Sequence, residues 1–360
     1  MPSYSYRAGV SADVTETLDM ATVLVFLQEG YVVTIPDKQG KRNAFAAGHI
    51  EGRQTLDGIR ATLSFKPLDF SKDTRVAGGI QSGWAASLKR KYAPELNMVG
   101  WYSGGTPSNL IVKANKSFFS GFLISGLLGI SLAYSSVYDT LEKNGTEKLK
   151  EGIKYAKSHC QLEMLVKYPF QDLSKEYTLA GEYLLELEPV NSALQKQVMG
   201  VHEDETPDVP ILMAHGTSDE ISPYESAFKT YKDWCSHGAQ VEFITFQSKF
   251  SSHFITQLTS TSMATGSKIP KTEDDWYLWD ADISDRDSEN EEILFQDVDC
   301  YWLLDWKGNL DIDALVKFFV EKTIDEKELL SKYGITIKRS FGPEPDKGPW
   351  FSARPNPGKL

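Results

Sequence analysis

Two residues in this chain stand where acid–base chemistry would need them. The apolar run Ile211-Leu212-Met213-Ala214 ends in His215-Gly216-Thr217-Ser218-Asp219, and further on His253 occurs within Ser251-Ser252-His253-Phe254. An apolar run closing in His-Gly-x-x-Asp predicts a buried strand with the aspartate on the loop at its carboxyl end, where α/β folds place their sites. A second run, Val241-Glu242-Phe243-Ile244-Thr245-Phe246, predicts another strand just ahead of the histidine. An aspartate can orient an imidazole so that its other nitrogen takes a proton from a serine hydroxyl, and the order Asp then His sets that serine upstream of both. The simpler readings are that Asp219 caps a helix starting near Pro223 and that His253 is a surface histidine. Their joint placement, each after its own strand, favours the acid–base pair. His215 reads as a structural residue of the strand end, and His49, His159, His202 and His237 as ordinary surface or helix residues.

The serine is the difficulty. A nucleophile of this kind sits on a sharp strand-to-helix turn, Gly-x-Ser-x-Gly, because only small residues tolerate the backbone angles and the close approach of helix to strand. No Gly-x-Ser-x-Gly occurs in the chain. By the order of elements the turn falls between a strand ending at Ala77 and a helix starting at Ile80, where the residues are Gly78-Gly79. Ser82 lies in the first turn of that helix, where a hydroxyl ordinarily serves the helix N-terminus. Ser103, in Trp101-Tyr102-Ser103-Gly104-Gly105, has a more turn-like setting, although Trp101 replaces the first glycine and the strand it follows comes one too late. Ser103 is the leading nucleophile candidate and Ser82 the second, against a default of loop or cap contacts.

The elements that must position these residues can be read from periodicity. Residues 14–29 carry Val14, Leu18, Ala21, Val25 and Phe26 at helical spacing, stopped by Gly30, and residues 31–37 read as a buried strand. A helix over 56–63, a strand over 74–77, a helix over 80–91 with Trp84, Ala85 and Leu88 inward, and a strand over 97–101 follow. Alternating strands and helices predict a mostly parallel sheet covered on both faces. From 108 to 208 the pattern is helical without clear strands: the apolar stretch 118–134, then 146–166, 177–187 and 192–199. A helical block between sheet strands predicts a cap over a site. The expected organisation is therefore a core from 1–107, a helical cap from 108–208, and a second core part from 209–341. That last part includes an acidic excursion over 266–299 and a helix over 311–330, and residues 342–360 form an irregular tail.

Composition narrows the function classes. The chain has 360 residues, a formal net charge of −12, 41% hydrophobic and 12% aromatic residues. That acidity argues against nucleic acid and anionic membranes, which demand basic faces. The stretch 118–134 is broken by Gly and Ser and is shorter than the ~20 residues of a spanning helix, so no stable membrane span is expected. Cys160, Cys235 and Cys300 form no CxxC pair, and neither a metal nor a cofactor is expected. Met1-Pro2-Ser3-Tyr4 begins no charged-then-apolar leader, so the chain as given would stay in the cytoplasm. Asn115-Lys116-Ser117 and Asn144-Gly145-Thr146 match glycan acceptors, tripeptides that also arise by chance.

Over roughly residues 3 to 258 the chain resembles the fungal secretory lipases, the Candida-type, lipase A-like group. The resemblance rests on Pro2-Ser3-Tyr4, Glu29-Gly30-Tyr31 through Pro36-Asp37, Leu56-Asp57-Gly58-Ile59-Arg60, Gly83-Trp84-Ala85-Ala86, Tyr92-Ala93-Pro94-Glu95-Leu96, Gly104-Gly105-Thr106-Pro107, His215-Gly216-Thr217 with Asp219, Trp234-Cys235, and His253. It implies an α/β-hydrolase fold with a helical cap, a secreted triacylglycerol lipase that cleaves carboxylic esters, Asp219 as acid and His253 as base, and an acyl site lined by 118–134. The implied partner is a lipid or ester small molecule. The chain departs from the family at the turn, which there resembles Gly-Tyr-Ser-Gly-Gly and here is reduced to Gly78-Gly79. It also starts inside the family's usual length, without the loop that supplies an oxyanion donor and without a cysteine ahead of Pro-Ser-Tyr, which leaves Cys160 as a candidate orphan thiol. Two readings follow: an ester hydrolase by descent, and a lipase-like protein that binds lipid without chemistry.

Overall fold

The computed structural model describes residues 32–37, 44–70, 76–78, 83–104, 114–159, 161–249, 251–253, 256 and 336–342. Among them five strands form one sheet: β1 (Val76–Gly78), β2 (Met98–Gly104), β3 (Ile211–Gly216), β4 (Val241–Gln247) and β5 (Thr336–Gly342), side by side in that order. β1 to β4 run parallel and β5 closes the row antiparallel to β4. This is the mostly parallel α/β sheet expected from the alternation of elements. β3 is buried along its whole length, and its unbroken apolar run is what a strand covered on both faces requires.

Helices α1 (Gly48–Leu63) and α2 (Gly83–Tyr92) precede β2, α3 (Ser120–Ala133), α4 (Ser135–Asn144), α5 (Glu147–Ala156), α6 (Gln161–Lys167) and α7 (Val190–Gln195) fill the stretch before β3, and α8 (Tyr224–Ser236) joins β3 to β4. Two apolar cores result. One packs Leu56, Trp84, Trp101, Ile211, Phe243 and Trp234 between the sheet and α1, α2 and α8. Each such side chain, fully withdrawn from water, contributes about 1.5–3 kcal/mol. α1 approaches α2 closely enough that a Cβ on Gly52 would stand 2.8 Å from the Trp84 carbonyl carbon. Arg60 then ties α1 to the end of α2: its guanidinium donates to Glu95 (2.6 Å), Asp57 (2.8 Å) and the Tyr92 carbonyl (2.6 Å), and Tyr92 donates back to Asp57 (2.8 Å). The Leu56–Arg60 and Tyr92–Leu96 motifs are thus one structural clamp.

The second core gathers Ile124, Leu127, Leu141, Leu149, Met164 and Tyr177 around α3. α3 is apolar on nearly every side because it is buried on nearly every side. Gly121 and Gly129 let it meet the Met164 and Phe45 carbonyls, where a Cβ would stand at 2.4 and 2.0 Å. Among the described residues no helix is long and apolar enough to cross a membrane.

Several expectations need correction. Residues 32–37 are irregular, and Val32 (56%) and Ile35 (46%) are exposed; no described strand pairs with them, and a β-branched run without a neighbour gains nothing from extension. The helix expected over 146–166 is two, α5 and α6. The one expected over 177–187 is a 3₁₀ turn, Gly181–Glu186, preceded by a π turn at Leu173–Tyr177. Thr178 interrupts it by bridging to Gly145, and Gly181 takes a positive φ of 61°. The helix expected over 192–199 is the shorter α7, which begins directly after Pro189. β5, with Lys338 and Arg339 between Ile337 and Phe341, was not expected at all. The expected helices at 14–29 and 311–330, the acidic stretch 266–299, the tail beyond Gly342, Ser82, Cys160 and Cys300 lie outside the described residues.

Candidate functional site

The loop between β3 and α8 carries Asp219. Its two carboxylate oxygens are used differently. Oδ1 accepts the backbone N–H of Ile221 (2.9 Å) and of Ser222 (2.6 Å), the local turn that a short acidic side chain readily makes. Oδ2 faces Nδ1 of His253 at 2.9 Å. Asp219 therefore shapes its own loop and does not cap α8, whose N-cap is Pro223 without a side-chain cap hydrogen bond, and its other carboxylate oxygen faces the histidine. The Asp219 side chain is 1% exposed and that of His253 12%.

The histidine loop is laced onto the aspartate loop. Thr217 N–H donates to the Phe246 carbonyl (2.9 Å), Ser218 Oγ to the Ser248 carbonyl (2.6 Å), and Ser251 Oγ to the same carbonyl (2.6 Å). The backbone N–H of His253 donates to Glu220 Oε2 (3.0 Å). Gly216 allows this seat. A Cβ there would lie 2.2 Å from the Ser251 carbonyl oxygen and 2.4 Å from Thr256 Oγ1, so any side chain must push the histidine loop outward. Gly216→Ala is accordingly expected to lower stability by about 1–3 kcal/mol and to loosen His253 from Asp219. Urea unfolding and the downfield imidazole proton resonance check this; an unchanged midpoint with the resonance intact would refute it.

Because the Asp219 carboxylate is an acceptor, His253 donates its Nδ1–H to it, and Nε2 is the ring nitrogen the aspartate does not use. Burial alone would push the Asp219 carboxyl up. The hydrogen bond from His253, the electrostatic influence of the His253 and His215 rings and the Ser222 amide outweigh it and hold the carboxyl below its usual range. His215, 1% exposed, is pushed down by burial, only partly opposed by Asp219 and by its hydrogen bond to the Ser222 carbonyl. An imidazole oriented by an ionised carboxylate can take a proton from a weak acid, the carboxylate stabilising the imidazolium that forms.

The serine candidates are placed less favourably. Ser103 lies within β2, where its backbone pairs with Met213 of β3, and not on a turn. Met213 is three residues short of the end of β3, roughly 10 Å down the strand from the loop that carries Asp219. The glycine signal at 104–105 was outweighed by the parallel ladder, which extends β2 to Gly104. The strand-to-helix crossing is where expected: β1 ends at Gly78 and α2 begins at Gly83, with residues 79–82, including Ser82, outside the described set. Sequence reasoning missed Glu220 and Ser251, which carry no signal beyond their neighbours, and the packing role of Gly216. Among the described residues no group of three His, Cys, Asp or Glu could hold a metal.

Comparison with known proteins fits this geometry. A family model described as secretory lipase matches residues 6–266. The secreted triacylglycerol lipase LIP2 of Malassezia globosa is 45% identical over 270 residues, 72% of this chain and 60% of that protein. LIP4 of the same organism is 47% identical over 72% of this chain and 59% of its own length. The chain thus spans about 60% of the length of the curated relatives it matches. Among solved structures, Candida antarctica lipase A in its closed state superposes with a TM-score of 0.64 at 28% identity, over 75% of this chain and 67% of that one.

Proposed function

Since this chain belongs to the secretory lipase family and has its α/β-hydrolase fold, we propose that it carries the acid and base of a carboxylic ester hydrolase, Asp219 and His253, built for lipid esters such as triacylglycerols. The observation that supports this reading is the 2.9 Å contact between Asp219 Oδ2 and His253 Nδ1, made by the loops after two adjacent parallel strands. In the proposed reaction Nε2 of His253 takes the proton of a serine hydroxyl as the hydroxyl adds to the ester carbonyl. It then returns the proton to the leaving alcohol, and water repeats the cycle on the acyl-enzyme. Residues 108–208 serve as a cap, with α3 toward the acyl chain. Relatives named as secreted support work outside the cell.

The same reading assigns this chain little or no turnover. The crossing from β1 to α2 runs Gly78-Gly79-Ile80-Gln81-Ser82-Gly83 without Gly-x-Ser-x-Gly, and Ser103 stands inside a strand. A lipase-like lipid binder without chemistry is the second reading, favoured by that one feature. Fluorophosphonate labelling with peptide mapping, beside a short-chain ester assay, separates the two. We expect a folded, unlabelled protein. Labelling at Ser103 or Ser82 that vanishes in His253→Ala would instead establish a relocated nucleophile and a working esterase. Labelling that persists in His253→Ala would remove His253 from the role of base.

A further inference from the structure

We infer that His215 is a positioning residue for the Asp219–His253 pair: its Nε2–H, given to the Ser222 carbonyl, locks the far end of the loop so that Asp219 Oδ2 faces His253. The inference rests on the reading of Asp219 and His253 as acid and base, and it adds a residue that reading does not use. His215 is the penultimate residue of β3, paired with Thr245 of β4, and is 1% exposed, so its ring starts from a rigid platform. Nε2 stands 2.9 Å from the Ser222 carbonyl oxygen and 3.4 Å from Asp219 Oδ2. One proton cannot serve both well; the shorter contact takes it, and the longer one adds a favourable dipole beside the carboxylate.

Ser222 is thereby held at both of its backbone groups. Its N–H goes to Asp219 Oδ1 (2.6 Å) and its carbonyl receives His215, closing a ring of contacts from strand end to loop end. Releasing the carbonyl frees the N–H that anchors Oδ1, and with it the direction of Oδ2. A packing role alone does not account for an imidazole here. Nδ1 is buried with no hydrogen-bond partner among the described residues, a cost that an apolar ring of the same shape would avoid. What the imidazole adds is the donor at Nε2.

The test uses the full chain and hydrogen exchange, read on peptides covering 217–223 and 241–247. Gln places an amide nitrogen near the Nε2 position and Asn near Nδ1, whereas Phe keeps the ring without a donor. Exchange over 217–223 is expected to quicken by about tenfold or more in His215→Phe and His215→Asn, to return toward the parent rate in His215→Gln, and to stay unchanged over 241–247 in all three. Equal behaviour of the Gln and Asn variants would overturn the inference, as would quickening spread evenly over both peptides or none in Phe. If Phe fails to fold, the Gln and Asn pair still decides. No turnover is needed, so the result stands apart from the labelling experiment.

Discussion

Inserting Gly-Tyr-Ser between Ala77 and Gly78 is expected to raise ester hydrolysis by about 10³-fold or more over the parent chain, because members of a catalytic triad act as a unit and the missing serine forfeits most of the rate. The insertion recreates at the β1–α2 crossing the turn that the family resemblance implies, using Gly78 and Gly79 as its last two residues. The frame around it is present. β1 lies next to β2, β2 next to β3, and all run parallel, so the crossing opens at the same sheet edge as the Asp219 loop. Two strand spacings separate β1 from β3, roughly 10 Å, a gap that an imidazole reaching from the loop beyond β4 must bridge. The check is p-nitrophenyl butyrate hydrolysis by the inserted chain with and without His253→Ala, together with fluorophosphonate mapping. The gain must sit on the new serine and disappear with His253. A folded insertion variant whose hydrolysis ignores His253 would sink the assignment of the base, and one that labels no better than the parent would mean that more than the turn is lacking.

How much of this was legible in the sequence depended on whether a residue's environment is local. β3 could be read because burial on both faces leaves an unbroken apolar run, and its His-Gly-x-x-Asp ending marks the loop. α3 could be read because a helix buried all round needs no polar face. Asp219 and His253 could be singled out by order, each after its own strand-like run, whereas the adjacency of the two strands that brings their loops together is seen only in the sheet. Other features depend on partners far along the chain. The Ser251 carbonyl that forbids a side chain at Gly216 belongs to another loop, and nothing near Gly216 announces it. Ser103 had turn-like neighbours, but its conformation was decided by Met213 across the ladder. The exposed Val32 and Ile35 show the converse, a strand-like run with no described strand beside it. β5 holds only Ile337 and Phe341 as apolar residues, with Lys338, Arg339 and Ser340 between them, a pattern too short and too polar to stand out.

Asp219 offers the second large effect, and it can be measured without turnover. Asp219→Ala removes the acceptor of three donors at once, the N–H groups of Ile221 and Ser222 and Nδ1 of His253, from a side chain only 1% exposed. Leaving a buried donor without its acceptor costs about 1–3 kcal/mol. Asp219→Asn keeps the shape and can still accept the two amides through Oδ1, but its NH₂ would face Nδ1 of His253. The histidine must then move its proton to Nε2 and lose the lone pair the reaction needs, so in the inserted background Asn should cost about 10⁴-fold in kcat, with a stability loss smaller than that of Ala. The dependence on pH has a definite sign. The carboxyl is held below its usual range in the folded protein, so the parent binds fewer protons there than when unfolded. Its contribution is therefore fully present above the unfolded value, about 3.9, and is lost as pH falls through the lower folded value. The stability advantage of the parent over Asp219→Asn should accordingly shrink once pH falls below about 4. Denaturant unfolding of both proteins across that range measures the difference. A gap that closes well above pH 4 would mean that Asp219 is not the low-lying carboxylate on which His253 depends.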